Sequence, residues 1–358
     1  MRFAPHLLAL AFPLYTLGFV VTAPHAAWTV VPTVGVLVAA VALDAIAAPH
    51  RAPPPRAPAW LFDAVLYAAV ANQLANVLGF AWVAGSMQPL DVAVGVLLVG
   101  MSSGYSAIVV AHELIHRPRA WARGLGRVLL GTVLYDHFAI EHVRGHHRRV
   151  GTADDPATAR YGEALWPFLA RTVPGQLASA WEIACRQLGD PALPLLDRRQ
   201  LRNPVLQGLF LEWTVVLFLA LALGPVAAIG WVLQAALAVL LLESVNYVEH
   251  WGIRRTGPRP SLVDSWDSES WFTYFTLVGL SRHADHHANA ARPWQDLRHV
   301  LVSPKMPWGY WATVVCAILW NARLRARLVA ILAATQGDAT GRRADAAPKA
   351  NLPLPASG

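Results

Sequence analysis

Long apolar runs separated by short polar turns dominate the sequence. An α-helix rises about 1.5 Å per residue, so crossing a hydrocarbon layer of about 30 Å takes about 20 apolar residues. The pattern predicts six spans in three hairpins, and therefore an all-α, multi-pass membrane protein. These predicted spans cover residues 5–23, 28–47, 61–85, 92–111, 205–223 and 225–245.

The first span could pass for a signal peptide, but the second apolar run follows within a few residues and no clear small-residue cleavage site separates the two. We therefore predict a retained helix.

Two long segments outside the spans, 112–204 and 250–335, also carry apolar runs. Both are too long for structureless connectors, so we predict helices close to the membrane interface. Within the second segment, 308–320 is short for a span and is followed by arginines, which favours a helix lying in the interface, with a seventh span as the alternative. Residues 336–358 are rich in Ala, Pro, Gly and charge and predict a disordered tail, which leaves 1–335 as one integral-membrane domain.

Composition and charge agree with a membrane protein. Hydrophobic residues make up 55% of the chain and charged residues 14%, which excludes an ordinary soluble domain. The turns at 22–27, 86–91 and 223–226 hold no Lys or Arg, whereas the opposite ends are rich in arginine. Both termini are therefore predicted to be cytoplasmic, with the protein in the inner membrane. This topology accounts for the net charge of +7, so we expect the lipid bilayer and no nucleic acid as a partner.

Histidines cluster at the predicted cytoplasmic ends of the spans and in the segments that follow them. Of fourteen histidines, nine fall in four short segments. Spacings of i, i+4 and i, i+3, i+4 present side chains on one side of a helix, so all nine can converge at one membrane face. The predicted metal-binding and catalytic histidines are His112, His116, His142, His146, His147, His250, His283, His286 and His287.

The first cluster reads His-Glu-x-x-His, a pattern that zinc proteases also use. An intramembrane zinc protease would leave seven clustered histidines without a role. Nine imidazoles exceed what one metal ion takes and favour two ions with four or five nitrogens each. Imidazole binds iron, copper, zinc and nickel alike, so the ligand set does not name the element. A metal transporter, a further alternative, would need polar groups distributed through the membrane depth.

Four segments, "HELIHR", "EHVRGHHRRVGTADDPATAR", "NYVEHWG" and "LSRHADHHANAARPWQDLR", occur in this order. They resemble the signatures of the membrane-bound alkane 1-monooxygenase family, including its xylene monooxygenase branch, within the fatty-acid desaturase and hydroxylase superfamily. The resemblance implies six membrane helices, a cytoplasmic-side di-iron site held by the nine histidines, and O2-dependent hydroxylation of a terminal or benzylic carbon of an apolar hydrocarbon. A lipid desaturase or hydroxylase of the same superfamily stays the main alternative, because Trp251, Ile253, Asp267 and Ser281 depart from the family pattern.

The resemblance also implies two iron ions, O2 as a co-substrate and a separate electron carrier. The carrier would be a rubredoxin or ferredoxin with its reductase, since the sequence has neither a Gly-x-Gly-x-x-Gly run nor a Cys-x-x-Cys pair. Such carriers are commonly acidic, and arginines of the cytoplasmic face such as Arg254 and Arg255 could attract one.

Metal-bound imidazoles need a partner for their outer ring nitrogen. The polar side chains that we nominate for this purpose are Glu113, Glu141, Asp155, Asn246, Glu249 and Asp285. Asn72, Gln73, Asn76 and Glu212 lie within apolar spans, and for these we expect hydrogen bonds between helices. The histidines predicted not to bind metal are His6, His25, His50, His137 and His299.

Overall fold

The computed structural model describes residues 3–26 and 30–345. Within these ranges the regular secondary structure consists of helices, and no β-strand is formed. The helices, in chain order, are α1 (Ala4–Thr22), α2 (Val30–Ala45), α3 (Ala59–Val83), α4 (Pro89–Ile115), α5 (Ala120–Gly131), α6 (138–149), α7 (Leu165–Gln187), α8 (Pro204–Ala222), α9 (Pro225–His250), α10 (Trp271–Thr276), α11 (His283–Ala288), α12 (Tyr310–Leu319) and α13 (Asn321–Asp345). The predicted all-α class is confirmed.

Among the described residues, five helices are long and apolar enough to cross a membrane: α1, α3, α4, α8 and α9. Each matches a span predicted from the sequence. Two of them continue past the predicted end of the apolar run, because α4 reaches Ile115 and α9 reaches His250. The first and third histidine segments are therefore carried on the ends of membrane-spanning helices.

The remaining predicted span, 28–47, is shorter in the structure than in the sequence pattern. Helix α2 has 16 residues, which gives a length of about 24 Å, less than the thickness of a typical hydrocarbon core. Residues 27–29 lie outside the described residues. Helix α12 has 10 residues and is also too short to span. Its residues 310–314 are all buried, so the first turn of this helix is enclosed within the protein.

The C-terminal region differs in part from the predicted tail. Helix α13 continues to Asp345, so the backbone of residues 336–345 is helical where a disordered tail was predicted. Residues 346–358 lie outside the described residues.

Helices α4 and α9 pack closely because glycines of α4 face α9. A Cβ atom added at Gly100 would lie 2.9 Å from the Leu237 Cβ and 3.0 Å from the backbone oxygen of Gln234. A Cβ added at Gly104 would lie 2.8 Å from Leu241 Cδ1. This close approach fixes the relative height of the two helices, and with it the height of the histidines at their ends.

Polar side chains inside the bundle pair with one another as predicted. The amide of Gln73 donates a hydrogen bond of 2.7 Å to Ser103 Oγ, which in turn donates one of 2.7 Å to Gln234 Oε1. Asn76 Nδ2 donates to Asn72 Oδ1 at 2.9 Å, and Glu212 Oε1 accepts 2.8 Å from a backbone nitrogen. The predicted hydrogen bonds between helices are confirmed for Gln73, which binds Ser103 of α4, and for Asn76, which also donates to the Pro13 backbone oxygen of α1 at 3.1 Å. The bond of Asn76 to Asn72 lies within α3, and Glu212 of α8 binds the loop before α6.

The close contact at Gly100 gives a stability prediction. We expect Gly100→Ala to lower the free energy of unfolding by about 1–3 kcal/mol, because the added methyl group overpacks the contact with α9. Gly18 in α1 has open space around it. Gly18→Ala is therefore the matched control, and it should be neutral or slightly stabilising. Thermal denaturation in detergent would measure both, and equal effects would contradict the assignment.

Candidate metal centre

Four segments bring the nine clustered histidines together at one end of the bundle. His112 and His116 lie at the end of α4, and His250 is the last residue of α9. The other two segments are α6 and α11, which hold three histidines each. We call this end of the molecule the histidine end.

The ligand atoms form a group of five histidines and a smaller group beside it. In the larger group the ligand atoms all lie within 4.8 Å of one another. Its members are His112, His116, His142, His147 and His286. The neighbouring group consists of two overlapping triads that share His250. The triads are His146, His250 and His287, and Glu249, His250 and His283.

A wide π-helical turn at 142–146 explains how α6 contributes to both groups. Its i→i+5 geometry brings the Nε2 atoms of His142 and His147 to 3.0 Å from each other, whereas His146 points into the second group. Helix α11 divides in the same way, because His286 joins the first group and His287 the second. The sequence spacing suggested one shared helical face and did not reveal this division.

The chemistry of these rings suits a metal ion. The Nε2 atoms of His112, His116 and His146 are buried and have no hydrogen-bond partner among the described residues. Burial lowers the pKa of His116 to about 4 and holds the pKa of His142 well below its usual value. Neutral imidazoles with unpaired inner nitrogens are the form in which histidine binds metals.

The same direction applies to other rings of the two groups. Burial is the main cause that lowers the pKa of the rings outside the spans, and the charges of neighbouring histidines add to it. The rings concerned are His147, His283, His286 and His287.

Asp155 holds the outer nitrogen of one of these rings. Its Oδ2 lies 2.9 Å from His146 Nδ1, and both side chains are buried. Burial alone would lower the pKa of His146, but the carboxylates of Asp155, Glu141 and Glu243 together raise it, with Asp155 contributing most among them. Conversely, burial would raise the pKa of Asp155, but His146, the Thr158 hydrogen bond and His250 together lower it. Such a carboxylate orients the ring and increases its basicity.

Glu249 has the corresponding position beside His283. Its Oε1 lies 3.2 Å from His283 Nδ1 and accepts a hydrogen bond of 2.7 Å from the Tyr310 hydroxyl. Tyr310, in α12, is fully buried and was not identified from the sequence. It lies 61 residues from Glu249 along the chain, so no local pattern connects the two.

The other nominated carboxylates contact arginines. Glu113 lies 2.7 Å from Arg117 Nε, and Glu141 Oε1 accepts 2.9 Å from an arginine of α6. Burial raises the pKa of Glu141 to about 7 against the effect of Arg149. Asp285 is bound by Arg292 at 2.6 Å. These carboxylates anchor the segments that carry the histidines.

Two further polar residues position the site from a distance. Asn246 donates a hydrogen bond of 3.1 Å to Glu243, a fully buried carboxylate that also binds Tyr135 and Gln176. Asp267 accepts 2.7 Å from the backbone nitrogen of Ala284 and so holds the first turn of α11. Glu243 shares the helix face of His250 seven residues before it, as the sequence spacing suggests, whereas Asp267 was not among the nominated residues.

The histidines predicted to be non-ligands lie outside both groups. His25 contacts Asp91 at 2.8 Å, and His299 contacts Glu269 at 2.7 Å. His6 and His50 pack among aromatic rings. His137 packs against Tyr135, with its ring centroid at 4.3 Å, although it is only five residues from His142.

A narrow apolar cavity of about 30 Å³ reaches the histidines from the bundle interior. It runs between α4 and α9, from Gly104 and Leu241 to His112, a distance of about 12 Å along α4. Ile108, Val109, Phe138, Leu242 and Val245 line it. A cavity of this volume has room for about two water molecules, and its apolar lining ends at the histidines.

The chain matches the sequence model of the fatty acid desaturase family over residues 87–317. Alkane 1-monooxygenase 1 of Pseudomonas aeruginosa is 38% identical over 265 residues, which is 70% of this chain and 67% of that protein. An alkane 1-monooxygenase of Pseudomonas putida is 32% identical over 72% of this chain and 65% of its own length. The hydroxylase component of xylene/toluene monooxygenase from Pseudomonas putida is 26% identical, over 65% of this chain and 61% of its own length.

The chain thus spans roughly three fifths to two thirds of the length of these relatives. The matched region contains all four histidine segments. Together, the family match and the similarity to the alkane hydroxylases mean that this chain belongs to the fatty acid desaturase family, in the branch of the membrane-bound alkane 1-monooxygenases.

Proposed function

We propose that the protein is a non-haem di-iron monooxygenase that hydroxylates a terminal or benzylic carbon of an apolar hydrocarbon. The observation that carries the proposal is the meeting of an apolar cavity with two groups of buried imidazoles. Curated relatives named alkane 1-monooxygenase support the same reaction class.

In this proposal each group of histidines holds one iron ion. The five-histidine group provides five nitrogens, and His146, His250, His283 and His287 provide four. Unactivated C–H bonds offer no group for acid–base or nucleophilic attack, so the bound iron would supply the activation of O2. The chain provides ligation, orientation through Asp155 and Glu249, and an apolar surface that excludes water.

The substrate lies in the apolar cavity with its reacting carbon beside His112, His142 and His283. Apolar walls stabilise it by removing hydrocarbon surface from water. Because the cavity is narrow, side chains of α4 and α9 must move when a chain binds. An apolar substrate dissolves in the bilayer and enters from there.

The proposal places the protein in the inner membrane with the histidine end and both termini in the cytoplasm. The arginine-rich ends of the spans support this orientation. Electrons come from a separate rubredoxin or ferredoxin, which its reductase keeps reduced.

A fatty-acid or lipid desaturase or hydroxylase is the second candidate, because the matching family model is that of the fatty acid desaturases. Oxygen-18 gas separates the two reactions. The proposed function predicts an alcohol from a panel of alkanes and xylenes, with oxygen-18 in the hydroxyl group. A double bond in an acyl chain, without label in the product, would favour the desaturase and contradict the proposal.

Replacing one proposed ligand, His250, tests whether the second group of histidines binds iron. Replacing a residue that hydrogen-bonds to a metal ligand typically lowers metal affinity or activity by about 10–100-fold, and replacing the ligand itself should cost more. We therefore expect His250→Ala to abolish hydroxylation and lower bound iron, measured by plasma mass spectrometry. His299→Ala is the control, because His299 contacts Glu269 and lies outside both groups. Full iron content in the His250 variant would exclude it as a ligand.

Asp155→Asn tests the carboxylate that holds His146. We expect about 10–100-fold weaker iron binding, because the amide removes the charge that orients the ring and raises its basicity. Asp154→Asn removes an equal charge from the adjacent, exposed position. Iron titration of both purified variants should separate them, and the same affinity in both would show that Asp155 has no such role.

A further inference from the structure

A second cavity, lined by both apolar and charged residues, reaches Asp155, the carboxylate that contacts His146. It has a volume of about 340 Å³. Residues of the loop 151–161 line it together with Arg171, Ile253 and Arg254. We call it the arginine pocket, after Arg160, Arg171 and Arg254. The apolar cavity described above shares none of these lining residues.

The floor of the arginine pocket, formed by Asp155, contacts a histidine of the second group. Asp155 lines the pocket, and its Oδ2 contacts His146 Nδ1 at 2.9 Å. Thr158, also in the lining, donates a hydrogen bond of 2.6 Å to the same carboxylate oxygen. Gly151 N donates to Thr158 Oγ1 at 2.9 Å. A group seated in this pocket is therefore separated from a histidine of the second group by one side chain.

The rim of this pocket carries positive charge that nearby acids do not neutralise. Arg160 and Arg254 are exposed, and among the described residues neither side chain forms an ion pair. Arg171 differs, because Glu163 binds it at 2.8 Å. The exposed acid of the same loop is Asp154. Other arginines of the histidine end, Arg117, Arg149 and Arg292, are held by carboxylates.

We propose that the arginine pocket is the docking surface for an acidic electron-carrier protein, from which electrons reach the metal centre through Asp155 and His146. The inference rests on the proposed function. Hydroxylation of R–H consumes one O2, two electrons and two protons and yields R–OH and water. Each docking of a one-electron carrier oxidises that carrier once, so two dockings supply one turnover.

A protein carrier fits this pocket better than a small anion does. A phosphate inside the pocket would meet the Asp155 carboxylate at the floor, and like charges repel. Acidic side chains of a docked protein contact the rim arginines instead and leave the floor free. Ile253 and Arg254 follow the last residue of α9 by three and four positions, which places this wall beyond the end of the span.

Charge reversal tests the docking surface. The variant Arg160→Glu/Arg254→Glu changes two rim positions. Its matched control is Arg198→Glu/Arg202→Glu, two exposed arginines outside the pocket lining, with the same total charge change. We expect KM for an acidic reduced rubredoxin to rise about tenfold or more at low salt in the rim variant, with kcat nearly unchanged. The control should stay within about twofold of the parent protein, since its charges lie away from the docking surface.

Two further measurements separate docking from folding and from chemistry. Fluorescence anisotropy of labelled rubredoxin with the protein in nanodiscs reports binding without any turnover. Arg160→Gln/Arg254→Gln should weaken binding less than the double reversal does. A small chemical reductant such as dithionite needs no docking surface, so single-turnover product should be equal in the parent protein and the rim variant.

The outcomes are distinct. Unchanged rubredoxin binding in the rim variant, or equal losses in rim and control variants, would overturn the docking surface. So would selective loss of binding to phosphatidylglycerol vesicles, because the pocket would then hold a lipid headgroup. If the parent protein forms no alcohol with any reductant, the proposed function fails, and the anisotropy measurement still decides whether the rim binds the carrier.

Discussion

The architecture depends on holding nine imidazoles at one level with their inner nitrogens facing one another. A buried nitrogen without a hydrogen-bond partner costs about 1–3 kcal/mol, and His112, His116 and His146 each bury one. A bound metal ion removes this cost, whereas packing alone leaves it. The close contact at Gly100 and Gly104 sets the heights of α4 and α9, so that their terminal histidines reach the same region.

The sequence predicts the spans and the meeting of the histidines because both follow from simple periodicity. Apolar runs of about 20 residues determine the spans, and the short spacings in "HELIH" and "HADHH" place rings on common helix faces. The division into two groups depends instead on the π-helical turn at 142–146, which has no reliable sequence signal. A residue spacing of four or five separates His142 from His146 and His147, and only the backbone decides which ring joins which group.

The contacts of the carboxylates show a second limit of what can be predicted from the sequence. Glu113 and Arg117 are four residues apart at the end of α4, so their ion pair could have been expected from spacing. The contacts of Glu249 with Tyr310 and of Asp267 with Ala284 join segments that are distant in the chain. Such contacts follow from tertiary packing, which one sequence does not reveal.

The two cavities give the metal centre two chemically different sides. The apolar cavity between α4 and α9 reaches the centre from the bundle interior, where apolar side chains exclude water and favour the binding of hydrocarbon. The arginine pocket reaches it from the loops, through a carboxylate and a hydroxyl that bond to each other. Because His146 lies between the Asp155 floor and the other imidazoles, a charged partner can approach the centre without opening the apolar side to water. In the proposed function, excluding water there would keep the oxygen chemistry directed at the bound hydrocarbon.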